Sequence, residues 1–435
     1  MSAIVWGSGQ ALNKQWLKGI MLFCAQVALV CWELFSGTLN VLRGVTESQF
    51  RNCGFFTKGI WGLVTLGEIP RASSRVKVYD HSTMLLIGGL LAVLILALFM
   101  VIYIMNIRDA YKTRKSIEAG VKLSSIKSLH EGFEKSFEYI SITPGLLMLL
   151  FVSFIPILFS MLVVFTNYNT WTIPPKNLVD WTGFQTFKDI ITLPIWSRTF
   201  IYLFIWTTIW AFAAAFSSYF AGMIQAVLLN SSLVKYKKLF RSIYMLPWAI
   251  PGMVTILTFR SAFHTRGPVN RFLLETGIIH NALPFLSEVN FARVMLVVVN
   301  MWLGFPYFMA LISGIMTTIN TDMFEAAQID GANSMQVFRR ITFPYIISAT
   351  APQLIFSVTY NFNNFGLVYF LTGGGPRMAG LQMADATDIL ITWIYKLTVD
   401  QRMYNYAAAM SIFIFILLAT VSGVNLSRTR AFKEE

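Results

Sequence analysis

Long apolar runs alternate with shorter polar segments along most of this 435-residue chain. An α-helix needs roughly 20 apolar residues to cross the hydrocarbon core of a membrane. Eight runs reach or approach that length, at about residues 20–42, 84–106, 140–165, 199–229, 243–259, 291–319, 345–371 and 404–426. The pattern predicts an all-α, polytopic membrane protein with about eight transmembrane helices.

Two of these runs contain residues that disturb a transmembrane helix. The first contains Glu33, and a charge at membrane depth is costly unless it is paired or lies near the interface. The fifth contains LPWAIPG, with Pro247, Pro251 and Gly252. Each proline removes a helix hydrogen bond, and neighbouring protein or a water-lined cavity must satisfy the freed groups. We therefore expect the fifth span to be broken.

The basic residues indicate which loops face the cytoplasm. Clusters of Lys and Arg follow the second run, in residues 107–135, and the fourth run, in residues 235–241, and short loops of this kind are predominantly cytoplasmic. By alternation, the polar segment between the sixth and seventh runs is cytoplasmic too. The first loop is an exception, because this topology places it outside although it contains Arg43, Arg51, Lys58, Arg71, Arg75 and Lys77.

That polar segment, EAAQIDGANSMQVFRRITFP at residues 325–344, is unlike a surface loop. It begins with strong helix formers, has a turn signal at Asp330 and Gly331, and offers Asn333 or Ser334 as the cap of a second helix that stops at Pro344. We predict two short helices joined at Gly331. An apolar stripe, formed by Met335, Phe338 and Ile341, is expected to pack, while another face meets solvent or a partner.

Composition supports a membrane protein and excludes other classes. Hydrophobic residues make up 56% of the chain, charged residues 13%, and the mean hydropathy is +0.61, whereas soluble domains carry about twice that share of charge. The net charge of +13 is explained by basic loops beside anionic headgroups rather than by nucleic-acid binding. The three cysteines, Cys24, Cys31 and Cys53, have no metal-ligand spacing.

Motifs for nucleotide binding and catalysis are missing from the sequence. There is no GxxxxGK[ST] phosphate-binding loop and no HExxH, and the four histidines belong to no recognisable Ser/His/Asp constellation. An enzyme is therefore not expected, which leaves a transporter, a channel or a receptor. Spans five to seven also lack interior ionisable groups, which ion-coupled carriers usually need.

Neutral polar residues among aromatic ones are the candidate binding chemistry. They occur in VVVNMWLGFPYF, with Asn300, Trp302, Gly304 and Tyr307, and in SVTYNFNNFG, with Tyr360, Asn361, Asn363 and Asn364. Amides exchange paired hydrogen bonds with hydroxyls, and flat rings cover the apolar faces of a sugar. The alternative is that the asparagines hold helices together, as they commonly do in membranes.

Four motifs carry a family resemblance: EAA followed by Gly331 and ITFP, then MWLGFPY, NFNNF and LTGGGP. Across about residues 140–430 the chain resembles the larger membrane subunits of bacterial maltose/maltodextrin ATP-binding-cassette importers. The resemblance implies the type I importer permease fold. It also implies two domains: an N-terminal membrane segment at residues 1–139, with two spans and a basic cytoplasmic loop, and a permease core of six spans at residues 140–435.

The resemblance also assigns roles to individual residues. In that family the polar segment at residues 325–344, the EAA segment, docks on the ATPase subunit. This implies a coupling role for Glu325, Ala326, Ala327, Asp330, Gly331 and Pro344. The family's sugar site maps onto Trp248, Gly252, Asn300, Trp302, Leu303, Gly304, Tyr307, Tyr360, Asn361 and Asn364. The family has a tyrosine and a serine where this chain has Trp248 and Gly252. The resemblance favours the ligand site over the helix-holding alternative for the asparagines.

The implied function is half of the translocation path of an ATP-driven maltose/maltodextrin importer in the bacterial cytoplasmic membrane, with ATPase motion transmitted through the EAA segment. Its expected partners are a second, smaller permease subunit (MalG-like), a cytoplasmic ATPase dimer and an extracellular or periplasmic sugar-binding protein, in contact with membrane lipid and without nucleic acid. The chain itself is expected to bind no cofactor and no metal, since ATP and Mg belong to the partner ATPase. Alternatives are another neutral oligosaccharide or a polyol as substrate, or an ATP-independent channel or secondary carrier.

Overall fold

The computed structural model describes residues 2–37, 47–71, 79–119, 125–231 and 234–428. Eighteen α-helices are found in these residues. They are α1 Ser8–Leu12, α2 Trp16–Ser36, α3 Phe55–Thr65, α4 Ser82–Glu118, α5 Ser125–Leu149, α6 Ile155–Val163, α7 Gln185–Thr192, α8 Pro194–Asn230, α9 Lys237–Tyr244, α10 Gly252–Ala262, α11 Pro268–Glu275, α12 Val289–Met316, α13 Thr321–Ile329, α14 Ser334–Val337, α15 Phe343–Phe362, α16 Phe365–Leu371, α17 Leu390–Tyr395 and α18 Tyr404–Arg428. Short 3₁₀ turns occur at Glu47–Asn52 and Leu246–Trp248, and wider π turns at Leu150–Phe154, Phe338–Thr342 and Lys396–Asp400.

The lengths of these helices confirm a polytopic membrane protein. Within the described residues, six helical stretches are long and apolar enough to cross a membrane, and a bent pair makes seven if it is counted as one span. The six are Trp16–Ser36, Ser82–Glu118, Phe137–Val163, Pro194–Asn230, Val289–Met316 and Ser334–Phe362. The eighth predicted span corresponds to α18, whose apolar part, Tyr404–Thr420, is shorter.

The chain divides into two compact units, and the first comprises Met1–Thr186 and Met403–Ala409. In this unit α3 lies close against α4, and the contact requires glycine at two positions. A Cβ atom at Gly59 would collide with Ala92, and one at Gly89 would collide with Leu63. Small residues allow such close helix approach in membranes. The predicted domain boundary at residue 139 follows from the family resemblance rather than from compactness, and it stays a prediction.

Glu33 lies in the first span and is paired, as its position requires. Its carboxylate accepts hydrogen bonds from the backbone N–H groups of Phe56 and Thr57, at 2.7 and 3.2 Å. These groups belong to the first turn of α3, whose unpaired N–H groups and dipole favour a negative charge. The helix that carries Glu33 ends at Ser36, earlier than the predicted end near residue 42, and residues 38–46 lie outside the described ones.

A buried ion pair in the first loop accounts for one of its unexpected basic residues. Arg51 Nε and Nη2 donate to the two carboxylate oxygens of Asp80 at 2.8 and 2.6 Å, and both side chains are largely buried. Burial alone would raise the pKa of the Asp80 carboxyl, but hydrogen bonds from Arg51 and from two backbone N–H groups outweigh it and hold that pKa below its ordinary value. Arg43, Arg75 and Lys77 lie outside the described residues.

The second unit comprises Phe187–Arg402 and Met410–Glu435, and α8 is its central helix. Two apolar clusters follow one another along α8 and α12. The first contains Trp206, Trp210, Ala214, Ile256, Met295, Leu296, Val299, Leu367, Val368, Leu371 and Ile389. The second contains Tyr219, Met223, Ala226, Leu229, Phe308, Met309, Ile312 and Ile346.

The fifth span is broken, as its prolines predict. Helix α9 and the 3₁₀ turn at Leu246–Trp248 meet α10 at an angle of 85°. Pro247 lies in the 3₁₀ turn, and Pro251 is the residue before α10. The two missing backbone donors therefore coincide with the bend.

The seventh predicted span, residues 345–371, is not one helix. It separates into α15 and α16 at Asn363 and Asn364. Asn364 stops the first helix because its side-chain oxygen accepts a hydrogen bond from the backbone N–H of Leu367 at 3.4 Å and so caps α16. A short polar side chain that competes for backbone groups is the physical cause of the break.

The segment at residues 325–344 forms the two predicted helices, α13 and α14. Gly331 lies between them with φ +71°, a left-handed conformation that glycine adopts at little cost. Asn333 caps α14 in a reciprocal capping box with Gln336. The predicted stop at Pro344 is wrong, since the helix continues through a π turn into α15. Phe338 packs against the second apolar cluster, whereas Met335 is exposed.

Candidate functional site

A cavity of about 900 Å³ lies in the second unit, where the two apolar clusters meet. Its wall is built by the break between α9 and α10, by α12, and by the break between α15 and α16. The lining residues are Ser218, Pro247, Trp248, Ile250, Gly252, Met253, Ile256, Asn300, Leu303, Gly304, Tyr307, Phe308, Gln353, Phe356, Ser357, Tyr360, Asn361, Asn363, Asn364, Phe365, Gly366, Leu367 and Phe370. The volume is within the range of small-molecule sites in proteins.

Nine of the ten residues assigned to the sugar site by resemblance line this cavity. On α12 the four lining residues assigned to the site are Asn300, Leu303, Gly304 and Tyr307, spaced as one helix face. The tenth residue, Trp302, lies two positions from Asn300 and is not part of the lining. Its ring packs edge-on against Phe259, with centroids 6.4 Å apart.

The three assigned asparagines bond to one another and to neighbouring helices. Asn364 Nδ2 donates to the side-chain oxygens of Asn300 and Asn361, at 3.2 and 3.3 Å. Asn300 Nδ2 donates to Ala214 O and Ser218 Oγ on α8, at 3.2 and 3.3 Å. Asn361 Nδ2 donates to Ser357 O at 2.9 Å. We call Asn300, Asn361 and Asn364 the amide network, and it ties α8, α12 and the α15–α16 break together.

The amide network is mostly buried, whereas the aromatic rings beside it are open. Asn300 and Asn361 are 8% and 3% exposed, while Tyr360 is 62% exposed. The rings of Trp248 and Tyr307 stack with centroids 6.0 Å apart, and Trp248 Nε1 donates to Leu303 O at 3.1 Å. The rings thus offer the apolar surface, and the network fixes the wall behind it.

The two assigned glycines do different things. A Cβ at Gly304 would collide with Ser218, so this glycine allows α8 and α12 to approach at the amide network. A Cβ at Gly252 would meet nothing within 4 Å. The missing hydroxyl at Gly252 therefore leaves open space in the cavity.

Two polar lining residues were not assigned to the site by the resemblance, Gln353 and Asn363. Among the residues that the structure describes, neither side-chain amide has a hydrogen-bond partner, and both border the cavity. In the sequence, Asn363 stands out only as part of a polar run. Gln353 was missed, although it lies four residues before Ser357 and seven before Tyr360, on the same face of α15.

Every lining residue is uncharged at neutral pH. Aromatic rings, hydroxyls and amides surround the space, an arrangement that fits a neutral, hydroxylated molecule. No group of three or more His, Cys, Asp or Glu that could hold a metal ion is found in the described part of the chain.

The coupling residues assigned by resemblance lie together on the EAA segment, away from the cavity lining. Glu325, Ala326, Asp330, Gly331 and Pro344 are exposed, and Ala327 is half-buried. Ile329, next to Asp330, is 87% exposed. The segment therefore presents acidic and apolar groups side by side on its surface.

These features define a polytopic α-helical membrane protein with an uncharged, ligand-sized cavity between broken helices. Residues 218–428 match the family described as "Binding-protein-dependent transport system inner membrane component". The galactooligosaccharides transport system permease protein GanP of Bacillus subtilis (strain 168) is 37% identical over 436 residues, covering 100% of this chain and 97% of GanP. The maltodextrin transport system permease protein MdxF of the same organism is 35% identical over 446 residues, covering 100% of this chain and 95% of MdxF.

The fold agrees with a solved structure. A chain of a bacterial ABC transporter involved in the import of the acidic polysaccharide alginate superposes with a TM-score of 0.56 and 20% identity, covering 70% of this chain and 99% of that chain. The present chain therefore belongs to the family of inner membrane components of binding-protein-dependent transport systems. It is a multi-pass permease component and not an enzyme.

Proposed function

We propose that this chain forms half of the translocation path of an ATP-driven importer for neutral oligosaccharides. The observation that carries the proposal is the uncharged cavity of about 900 Å³, lined by aromatic rings and amides. Both full-length relatives described above are named for oligosaccharide transport, one for galactooligosaccharides and one for maltodextrins. A maltodextrin is the proposed substrate, with a galactooligosaccharide as the alternative within the same class.

The proposed complex contains other chains that supply what this one lacks. A cytoplasmic ATPase pair binds ATP and Mg, a second permease completes the path, and an external binding protein delivers the sugar. The bacterial cytoplasmic membrane is the proposed location. Large exposed rings at the cavity edge, Trp248, Phe356 and Tyr360, support a second permease facing them, since an open apolar patch of this kind usually marks an interface.

The EAA segment is proposed to dock on the ATPase. Its exposed Glu325 and Ile329 suit a cleft with basic and apolar walls. Movement of α13 and α14 passes to α15 through the continuous helix that follows. Because α15 carries the cavity residues from Gln353 to Asn361, docking and the sugar path share one element, as a rigid-body switch requires.

Reconstitution tests the proposal. The chain is co-purified with its candidate ATPase and second permease, and uptake of radiolabelled maltose, longer maltodextrins, galactooligosaccharides and unrelated sugars is measured in proteoliposomes with the binding protein. We expect ATP-dependent uptake of one class of neutral oligosaccharide. Uptake by this chain alone, without an ATPase, would overturn the proposal in favour of a channel or secondary carrier.

A charge reversal at Glu325 tests the proposed docking of the EAA segment on the ATPase. Glu325→Lys reverses an exposed charge on α13, and we expect uptake to fall about tenfold or more because a charge at an interface meets a like charge on the partner. Glu275→Lys makes the same change on α11 and is the matched control. Equal uptake by the wild type and Glu325→Lys would contradict the docking role.

A further inference from the structure

Helix α15 presents one continuous stripe of residues to the cavity. Its members are Gln353, Phe356, Ser357, Tyr360 and Asn361, spaced alternately by three residues and by one, as one face of an α-helix is. At 1.5 Å per residue, the stripe from Gln353 to Asn361 is about 12 Å long. Gln353 therefore lies well away from the amide network, at the end of the stripe nearer the EAA segment.

The side-chain amide of Gln353 is available to a ligand. All the side-chain N–H groups of the amide network have acceptors, whereas the side-chain amide of Gln353 has no hydrogen-bond partner among the described residues. A half-buried polar group without a protein partner destabilises the protein unless water or a ligand forms hydrogen bonds with it. At this end of the cavity, the side-chain N–H and C=O groups of Gln353 can therefore form hydrogen bonds with a ligand.

An exposed aromatic ring lies beside each of the two free amides, those of Gln353 and Asn363. Phe356 is 63% exposed and follows Gln353 by one helix turn on the cavity face. Asn363 similarly follows the exposed ring of Tyr360. A free amide beside an open ring is the pairing that suits one sugar ring, with hydroxyls at its edge and apolar C–H groups on its face. The cavity therefore contains two such pairs, separated along α15.

We propose that Gln353 is a specificity-determining residue of the cavity: its amide bonds to the hydroxyls of a further sugar ring and thereby favours longer oligosaccharides over a disaccharide. The inference rests on the proposed function. The first ring lies at Tyr360 and Asn363, and the chain of rings extends along α15 towards Phe356 and Gln353. A disaccharide bound at the first pair does not need Gln353.

The test is uptake by the reconstituted complex, measured for a disaccharide and a tetrasaccharide of the transported class with the same binding protein. Gln353→Leu keeps similar bulk and removes the amide. We expect the KM for the tetrasaccharide to rise about tenfold, since a lost hydrogen bond to a ligand is worth roughly that factor, while the KM for the disaccharide stays unchanged. Thr359→Val, on a part of α15 that does not line the cavity, is the matched control.

A second variant protects the test against misfolding. Gln353→Asn keeps the amide on the same helix, and we expect a smaller rise in the tetrasaccharide KM than with Gln353→Leu. If Gln353→Leu fails to assemble, Gln353→Ser takes its place. The ratio of the tetrasaccharide KM to the disaccharide KM is then expected to be higher in Gln353→Ser than in the wild type. Equal changes for both sugars, or no change for either, overturn the role of Gln353. Failure of the wild type to transport any oligosaccharide would instead overturn the proposed function.

Discussion

The amides of the cavity wall show how identical side chains can take different roles. Asn300, Asn361 and Asn364 use their N–H groups to hold helices together. Each side-chain oxygen still has a second lone pair that can accept from a sugar hydroxyl. Holding helices and binding a ligand are therefore compatible at these positions, but the amides that can donate freely are those of Gln353 and Asn363.

A prediction at the residue scale concerns Arg51 and Asp80. Arg51→Met leaves the buried Asp80 carboxylate without its bidentate partner, and we expect the free energy of unfolding to fall by about 3 kcal/mol, because an unpaired buried charge is strongly destabilising. The measurement is denaturant or thermal unfolding of the purified protein in detergent. Arg114→Met is the matched control, since its pair with Glu118 is exposed, and such pairs contribute about 0.5 kcal/mol or less.

The pH dependence of this difference has a definite sign. Because the pKa of Asp80 is lowered in the folded protein, the pair stabilises the fold above the ordinary carboxyl pKa of about 3.9. That stabilisation is lost as the pH falls through the lower pKa of the folded state. We therefore expect the wild type and Arg51→Met to converge in stability below about pH 4, and a constant difference from pH 7 to pH 3 would contradict this explanation.

The site residues that the family resemblance assigned stay a prediction, but helix periodicity explains which of them share one wall of the cavity. Asn300, Leu303, Gly304 and Tyr307 lie on one face of α12. The same periodicity places Trp302 on another face, a consequence that the motif match alone did not reveal. Hydrogen-bond partners such as Ser218 for Asn300 are 82 residues apart in sequence, and no local pattern predicts a contact of that range.

At the scale of elements, the loop at residues 372–389 contains a buried charge, Asp388, next to its end. Asp388 is fully buried and accepts from Lys396 Nζ at 2.6 Å, from Thr392 Oγ1 at 2.9 Å and from the backbone N–H of Asp385 at 2.7 Å. Lys396 also donates to Asp385. Burial lowers the pKa of the Lys396 ammonium, but the two carboxylates outweigh it and raise that pKa above its ordinary value.

Gly374 makes this arrangement possible, because only a residue without a side chain fits beside Asp388. Its φ is +84°, and a Cβ atom there would occupy the place of the Asp388 carboxylate. Gly374→Ala should therefore cost about 3 kcal/mol or more, since it displaces a buried, paired charge as well as straining the backbone. Thermal unfolding in detergent measures the effect.

Gly380 offers the control for Gly374. Its φ is +86°, but a Cβ there would meet nothing within 4 Å. Gly380→Ala should thus show only the backbone cost of about 1 kcal/mol. If both variants lose the same stability, the Asp388 carboxylate is not what requires glycine at position 374.

The breaks in the helices were predictable where proline causes them and not where asparagine does. Pro247 and Pro251 gave the bend of the fifth span, because proline lacks a backbone donor wherever it occurs. Asn363 and Asn364 end α15, but asparagine caps a helix only when the chain leaves its N–H groups free. The hydropathy of the apolar run at residues 345–371 does not indicate whether these asparagines continue the helix or end it.

At the scale of the whole molecule, two prolines in long helices follow π turns. Ile155 N–H donates to Leu150 O, five residues earlier, just before Pro156, and Phe343 N–H donates to Phe338 O just before Pro344. A π turn widens the helix by one residue. The wider turn accommodates the bonding position that the following proline leaves empty, and the helix at Ser334–Phe362 continues past Pro344.

Deleting Arg339 from the second π turn tests what that wide turn does. The deletion should convert the turn to an α-helical one and rotate α14 by about 100° relative to α15. We expect helix content by circular dichroism and assembly of the chain in detergent to be kept, while ATP-dependent sugar uptake falls at least about tenfold, as a misdirected docking element implies. Arg339→Ala preserves the length of the turn and should transport normally, and normal uptake by the deletion would contradict the prediction.

The π turn at Phe338–Thr342 sets the angular phase between the two ends of one continuous helix. On one side lies α14, which the turn at Gly331 joins to α13, and on the other lies the cavity stripe of α15. Residues along the turn can change without altering that phase, but a gain or loss of a single residue resets it by about 100°. In the docking proposed above, the direction in which a movement of the EAA segment reaches the cavity therefore depends on the number of residues between them rather than on their identity.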